Sequence, residues 1–353
     1  MTNNKVKISD SIMMKRWRKF KTLKRGYYSF IGIIIVYVLS FFFFLFINNK
    51  ALVVSYNDEL HFPAFGSYYT NEHFEMTGYG EANYRKLRDK IDADENGSNW
   101  IIMPIYPYSP IENLLDEIEG QPPTHPDSKH WFGTDNRGRD VFARMMYGFR
   151  ISISFALVVT FFAYIIGIAI GAILGYFGGK IDIFGQRIIE MTAGIPFLFT
   201  IMILSAIMKP SFFMLAGLLI AFGWISLTYY IRGEFYREKA KDYVAAAISM
   251  GASNRRIMFK HILPNALTPV ITFMPFAVVG YIFSLVSLDY LGFGLAPPTP
   301  SWGELLTQGR EDITYWWLIS SPLFAIFCTL LTITFIGEGI REAFDPKVYS
   351  RLR

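Results

Sequence analysis

A single cysteine, Cys328, among 353 residues excludes a disulfide within the chain and leaves the redox compartment open. Histidine is almost as scarce. None of the five forms H-E-x-x-H, and His125 and His130 stand in a Pro-rich loop without the Cys or carboxylate partners of a metal site, so no metal is expected. No stretch reads G-x-x-x-x-G-K-[ST]; GYFGGKI at 175–181 comes nearest and fails, which removes a phosphate-cradling loop. G-x-S-x-G is missing as well. The long apolar runs lack the paired charges that proton-coupled pumps and intramembrane enzymes use, Glu190 being the one charge inside them. These absences argue against an enzyme and against a resident cofactor.

What the chain has in excess is apolar residues, 52% hydrophobic and 17% aromatic, and they are bunched. Runs at 27–47, 151–177, 188–208, 212–231, 267–288 and 315–337 approach or exceed the roughly 20 residues that cross a bilayer core. A soluble protein burying all of them would need a polar shell that the sequence does not contain. The first run is no cleaved signal peptide, because Asn48, Asn49 and Lys50 follow it where small residues are needed. The fold class expected is therefore an all-α integral membrane protein with about six transmembrane helices. An insertion of about 100 residues follows the first of them.

Lys and Arg set the orientation. Residues 1–25 hold nine, the loop 232–261 seven more, and Arg341, Lys347, Arg351 and Arg353 close the chain, which places both termini in the cytoplasm. The expected organisation is a basic N-terminus 1–26, a first helix 27–48, an outside segment 49–150, a five-helix core 151–345 and a tail 346–353. A net charge of +5 then follows from topology and gives no basis for binding nucleic acid.

The outside segment mixes PAFGSYY at 63–69, a charged helical stretch at 81–92, MPIYPYSP at 103–110 and QPPTHP at 121–126, and reads as a small irregular cap with one or two helices. Asp92, Asp94, Asn96 and Gly97 match the start of a calcium-binding loop, but Met103 stands where the bidentate Glu belongs, so an Asx-rich turn is the better reading. In the second run Gly167, Gly171, Gly175 and Gly179 recur every four residues, a face that lets another helix approach closely. Gly194, Pro196, Pro269 and Pro275 free backbone carbonyls in later runs, which membranes tolerate only where protein or a watery cavity satisfies them. This favours a pathway over a simple anchor.

The most informative stretch is KAKDYVAAAISMGASNRRIMFKHILPNALTP, residues 239–269. It reads as a short helix from Asp242 to Met250, a break at Gly251, Ala252 and Ser253, and a second helix from Asn254 to Leu263 stopped by Pro264. Ala245, Ala246 and Ala247 give a small face that can dock in a groove, with Arg255, Arg256 and Lys260 beside it for acidic or carbonyl partners.

This stretch resembles the coupling loop of bacterial ABC importer permeases, E-A-A followed by Gly and then a pattern like I-x-L-P; Ala246, Ala247, Gly251, Ile262, Leu263, Pro264 and Asn265 fit it. Ala245 departs from it, since the family usually has Glu there, and Asp242 is the candidate replacement one turn earlier. HWFGTDNRGRDV from residue 130 is similar to the signature before the second span of dipeptide and oligopeptide permeases. DYLGFGLAPPTPSWGELL at 289–306 and GEGIREAFDPK at 337–347 extend the resemblance to the C-terminus. The enlarged outside segment resembles the branch that imports oligopeptides and microcin C.

The resemblance implies a permease subunit in a bacterial inner membrane, with segment 49–150 periplasmic, forming half of a translocation pathway for peptides. It implies a second, similar permease, a cytoplasmic ATPase (one fused chain or two) that binds ATP and Mg, and a periplasmic substrate-binding protein. Asp242, Ala246, Ala247, Gly251, Arg255 and Pro264, within the loop 239–265, are the expected ATPase-coupling residues. Gly133, Thr134, Asp135, Gly138, Arg139 and Asp140 are expected near the outer mouth, where Asp135, Arg137, Arg139 and Asp140 can pair with each other and with headgroups, as a structural staple or as a contact to a delivering protein. A secondary transporter and a membrane-anchored receptor are the rival readings; the first needs midplane ion sites and related halves, and neither is visible.

Overall fold

The computed structural model describes residues 12–94 and 98–345. The basic stretch 1–11, Asn96 and Gly97 of the calcium-like turn, and the tail 346–353 lie outside the described residues. Among the described residues, four helices are long and apolar enough to cross a membrane: α4 (Val141–Phe177), α7 (Phe212–Lys239), α9 (Asn254–Tyr290) and α11 (Trp316–Phe344). Two bent pairs bring the number to as many as six if each pair counts as one span, namely α1 (Ile12–Thr22) with α2 (Lys24–Ser40), and α5 (Gly179–Ala193) with α6 (Phe197–Ile207). Each apolar run of the sequence lies largely within one of these six. The second pair breaks at Gly194 and Pro196, as the freed carbonyls there imply, with a 61° bend.

Cα proximity divides the chain into two compact units, one of Met1–Ile34, Ser154–Ser284 and Cys328–Arg353, the other of Ile35–Ile153 and Leu285–Phe327. In the first unit the glycine stripe of α4 packs on α7. A Cβ on Gly167 would lie 2.9 Å from the Trp224 carbonyl oxygen, on Gly171 2.7 Å from that of Thr228, and on Gly175 2.7 Å from that of Arg232. Thr228 Oγ1 reaches across to the Gly167 carbonyl at 3.3 Å, the kind of interhelical bond that close backbone approach permits in a membrane. Gly179 does not share this face. The helix ends at Phe177, and Gly178 and Gly179 take left-handed φ angles of +65° and +53° to turn the chain into α5. Asp182 at the start of α5 is held by Arg232 and Tyr236 of α7 at 2.5 and 2.7 Å.

The second unit corrects the expected irregular cap. Three antiparallel strands, β1 (Val53–Tyr56), β2 (Glu59–His61) and β3 (Trp100–Ile102), form a sheet of order β2-β1-β3. The β1–β2 hairpin turns on Asn57 and Asp58, both at positive φ (52° and 61°), the backbone that a two-residue type I′ turn demands and that Asn and Asp tolerate. The prolines that argued against strands lie elsewhere, at 103–110 and 121–126. Helix α3 (Tyr84–Asp92) is capped by Asn83, whose side chain accepts from the Arg85 and Lys86 amides, and buries Tyr84 and Leu87 against Val54 and Phe74. Its Arg85 donates to Glu112 at 2.7 Å and Glu117 at 2.8 Å, tying the helix to the Pro-rich stretch.

Two span boundaries move. Helix α2 stops at Ser40, whose hydroxyl donates to the Tyr37 carbonyl, and the rest of that apolar run turns inward until Ile47 joins Tyr106, Tyr108 and Leu114 in a buried cluster. Helix α4 starts at Val141, ahead of the expected 151, because Asp140 Oδ1 accepts the Ala143 amide at 2.8 Å and caps it.

Candidate functional site

The stretch 239–265 folds as a helical hairpin in the first unit. Glu238, buried at the end of α7, accepts from Lys241 Nζ at 2.7 Å and from the Tyr243 hydroxyl at 2.8 Å, which fixes where the next helix starts. That helix, α8 (Asp242–Ser249), seats Val244 and Ala247 inward and leaves Asp242, Ala245 and Ala246 exposed. Gly251 ends it at φ +77°. The Gly251 amide donates to the Ile248 carbonyl at 2.9 Å and the Ala252 amide to Ala247 at 3.0 Å, the paired bonds of a Schellman stop whose left-handed residue is normally glycine. The need for Gly251 is thus conformational.

Ser253 then caps α9, its hydroxyl accepting the Arg256 amide. Ile257, Met258 and Ile262 bury against Val244, Ile231, Phe235 and Tyr176, while Tyr176 donates to Asn254 Oδ1 at 2.8 Å and Lys239 to the Tyr176 carbonyl at 2.5 Å. Pro264 does not stop the second helix, contrary to what the sequence implies. The helix continues to Tyr290 because residues 257–262 widen into a π-helical segment, with the Leu263 amide bonded to the Met258 carbonyl. This wider turn accommodates a ring that would collide with the carbonyl four residues back, and the Asn265 side chain donates to the His261 carbonyl at 3.0 Å. The outer face of the hairpin presents Ile248, Met250 and Phe259, exposed at 54%, 81% and 61%, together with Ala245, Ala246, Arg255 and Arg256. Of the expected coupling residues, Asp242, Ala246, Gly251, Arg255 and Pro264 are exposed and Ala247 is buried. Ile248, Met250 and Phe259 were not singled out from the sequence; they flank the buried Val244, Ala247 and Ile262 at i±3 and i+4, so spacing alone does not mark them as exposed.

In the second unit the stretch 130–140 is a buried knot. Gly133 and Gly138 take left-handed φ angles of +68° and +69°, and Thr134, Asp135, Arg139 and Asp140 are 0 to 3% exposed. Asp135 accepts the Arg137 and Arg139 amides at 2.9 Å each and the Arg139 guanidinium at 2.7 Å. Asp140 accepts the Tyr106 hydroxyl at 2.6 Å and faces His130 Nδ1 at 2.9 Å. The Trp317 indole donates to the Thr134 carbonyl at 3.1 Å.

Helix α10 (Trp302–Glu311) contributes Glu304, which accepts from Arg139 at 2.9 Å with one oxygen and from Arg144 with the other. Burial alone would lower the Arg139 pKa; hydrogen bonds to Asp135 and Glu304 outweigh it and raise the value above the ordinary one. With its charges turned inward, the knot corrects the expectation that Asp135, Arg139 and Asp140 reach headgroups. Arg137 alone of the four is exposed. Glu304 and Arg144 were missed because a lone carboxylate in SWGELL and a lone Arg in a helix carry no pairing signal until the fold brings them together.

Residues 167–350 match the family model described as binding-protein-dependent transport system inner membrane component. The chain is 37% identical over 357 residues to the peptidoglycan transport system permease protein YejE of Agrobacterium fabrum, covering 94% of this chain and 92% of that one. It is 38% identical over 335 residues to the inner membrane ABC transporter permease protein YejE of Escherichia coli, covering 94% and 96%. The dipeptide transport system permease protein DppC of Bacillus subtilis is 35% identical over 244 residues, covering 69% and 75%. A match over more than half the chain, set on the hairpin and spans described above, is enough to place it: the protein belongs to the binding-protein-dependent transport system inner membrane components, the membrane-embedded permeases of ABC transporters.

Proposed function

We propose that this chain is one of two permease subunits of an ATP-driven importer for peptides, and that the hairpin of α8 and α9 is where a cytoplasmic ATPase takes hold. One observation carries the reading. The hairpin turns Ile248, Met250 and Phe259 outward beside Ala246 and the guanidinium groups of Arg255 and Arg256, an apolar patch with a basic rim that fits a protein groove with acidic edges. In this reading both termini are cytoplasmic and segment 49–150 faces the periplasm. A soluble binding protein delivers substrate there, and Asn136 and Arg137 are exposed polar members of the knot that can meet it.

ATP and Mg bind the ATPase, and this chain is not catalytic. Closure of the ATPase moves the hairpin, and α7 and α9, continuous with it on either side, carry the motion into the membrane. Peptide as cargo is supported by the relatives named for dipeptide and peptidoglycan transport. The test is to tag the chain, extract it gently from native membranes and identify its companions by mass spectrometry. Recovery of a second permease and an ATPase is expected; a chain that purifies intact and alone would overturn the reading and revive a secondary transporter or a receptor.

A further inference from the structure

Helices α1 and α2 meet at 96°. An α2 that crosses the bilayer along its normal would set α1 in the plane of its surface. The sequence of α1, IMMKRWRKFKT, holds Lys15, Arg16, Arg18, Lys19 and Lys21 and no acidic residue. At 100° per residue, Met13, Trp17 and Phe20 share one face, while Lys15, Arg18 and Thr22 share the opposite one, and Lys21 flanks the apolar side. Phe20 is buried at 3% against Ile336 and Ala343 of α11. Met13 and Trp17 continue its face outward, exposed at 55% and 41%, and Lys21 Nζ stands 5.6 Å from the Trp17 ring centre.

The helix is not a loose arm. Arg16 donates to Thr268 Oγ1 at 3.3 Å and lies 4.6 Å over the Phe344 ring, and Lys19 is 3.9 Å from Glu342. Its inner edge is thus fixed to α9 and α11, and what it offers outward is an apolar strip bordered by cations.

We propose that α1 is an in-plane helix that binds anionic phospholipid headgroups through Lys21 at the border of its apolar strip while Met13 and Trp17 enter the boundary between headgroups and acyl chains. Two independent features select a lipid surface as the occupant. The right angle puts the helix at the interface, and the combination of an exposed apolar strip with an all-basic charge set matches an anionic membrane. Because Arg16 and Lys19 are engaged with the chain itself, lipid binding at the outer edge braces the ends of α9 and α11 without competing for those contacts. The inference does not depend on an ATPase partner or on peptide as cargo.

The test uses the full chain in nanodiscs of phosphatidylcholine with or without phosphatidylglycerol, in a Cys328→Ser background. Nitroxide labels are placed at Met13→Cys or Thr22→Cys. The label at 13 is expected to be relaxed by oxygen and shielded from an aqueous nickel chelate, with the reverse at 22. In parallel, the phosphatidylglycerol retained relative to phosphatidylcholine through purification is read by mass spectrometry. The K21Q variant changes an exposed side chain only, and its preference is expected to fall about fivefold, from the contribution of one cation near an anionic surface, whereas K15Q, on the opposite face, should leave it unchanged. Circular dichroism checks that each variant is folded. Equal nickel access at 13 and 22, or an unchanged lipid preference in the folded K21Q variant, would overturn the proposal; both would point to a helix standing in water or covered by protein.

Discussion

Arg139 reaches Glu304 across 165 positions of sequence to make a 2.9 Å ion pair with the guanidinium 4% and the carboxylate 16% exposed. Arg144 takes the other oxygen of the same carboxylate, so a single side chain on α10 bridges two guanidinium groups, with Asp135 supplying the second negative charge.

Removing that carboxylate leaves two buried guanidinium groups short of a partner. Glu304→Ala is expected to cost about 3–5 kcal/mol, the usual penalty for breaking a buried pair from one side. Thermal unfolding of the detergent-solubilised chain measures it. A loss under about 1 kcal/mol, as for an exposed pair, would mean that the knot is not a staple.

The glycine stripe predicts a steric effect. Gly171→Ile puts a branched side chain where a Cβ alone would already lie 2.7 Å from the Thr228 carbonyl oxygen, and overpacking of this kind costs about 1–3 kcal/mol. Gly217→Ala, with nothing outside its own helix turn within 4 Å of the new methyl, is the control and should not lower the melting temperature.

At Gly251 the backbone, not the side-chain space, is limiting, since φ is +77° and, among the described residues beyond its chain neighbours, no atom lies within 4 Å of where a methyl would stand. Gly251→Val is expected to destabilise the hairpin stop by roughly 1–2 kcal/mol and to reduce transport-coupled ATP hydrolysis. Gly251→Asn, which tolerates the left-handed region, should retain most of it. Equal activity in both variants would remove the conformational argument.

Acid should loosen the second unit. Burial first, and His73 second, hold the His61 pKa below its ordinary 6.5. The unfolded imidazole therefore takes up a proton that the folded one resists, and stability declines as pH falls below about 6.5. Burial alone would raise the Glu117 pKa, but hydrogen bonds from Arg85 and Asn83 outweigh it and hold the value below 4.5. Its contribution is present above that ordinary value and is lost as pH falls through the depressed one. Amide hydrogen exchange in β1, corrected for intrinsic pH dependence, should show protection dropping in two stages on acidification; constant protection from pH 7 to pH 4 would contradict the burial of His61.

Legibility in the sequence followed the range of the forces involved. The six apolar runs announced the spans because burial in lipid needs only composition and length. Gly167, Gly171 and Gly175 announced a close helix contact because the spacing lies within one helix, but not that α7 makes it. The Asn57-Asp58 turn carries a local signal too, one that the nearby prolines outweigh when the segment is read by composition. Pro264 misled for a local reason, since a π-helical segment lets a helix carry a proline that an α-helical turn would reject. The ion pairs of Glu304 were beyond reach, because nothing in a single sequence links positions 139, 144 and 304.

The central claim is that the outer face of the α8–α9 hairpin receives the ATPase. A photo-crosslinking amino acid at Met250, in native membranes, tests it most directly, with the same probe at the fully exposed Tyr79 of the second unit as reference. An adduct containing the ATPase from position 250 and none from position 79 is the result expected. Adducts from 250 that contain only lipid or only this chain, in membranes where the transporter is active, would contradict it.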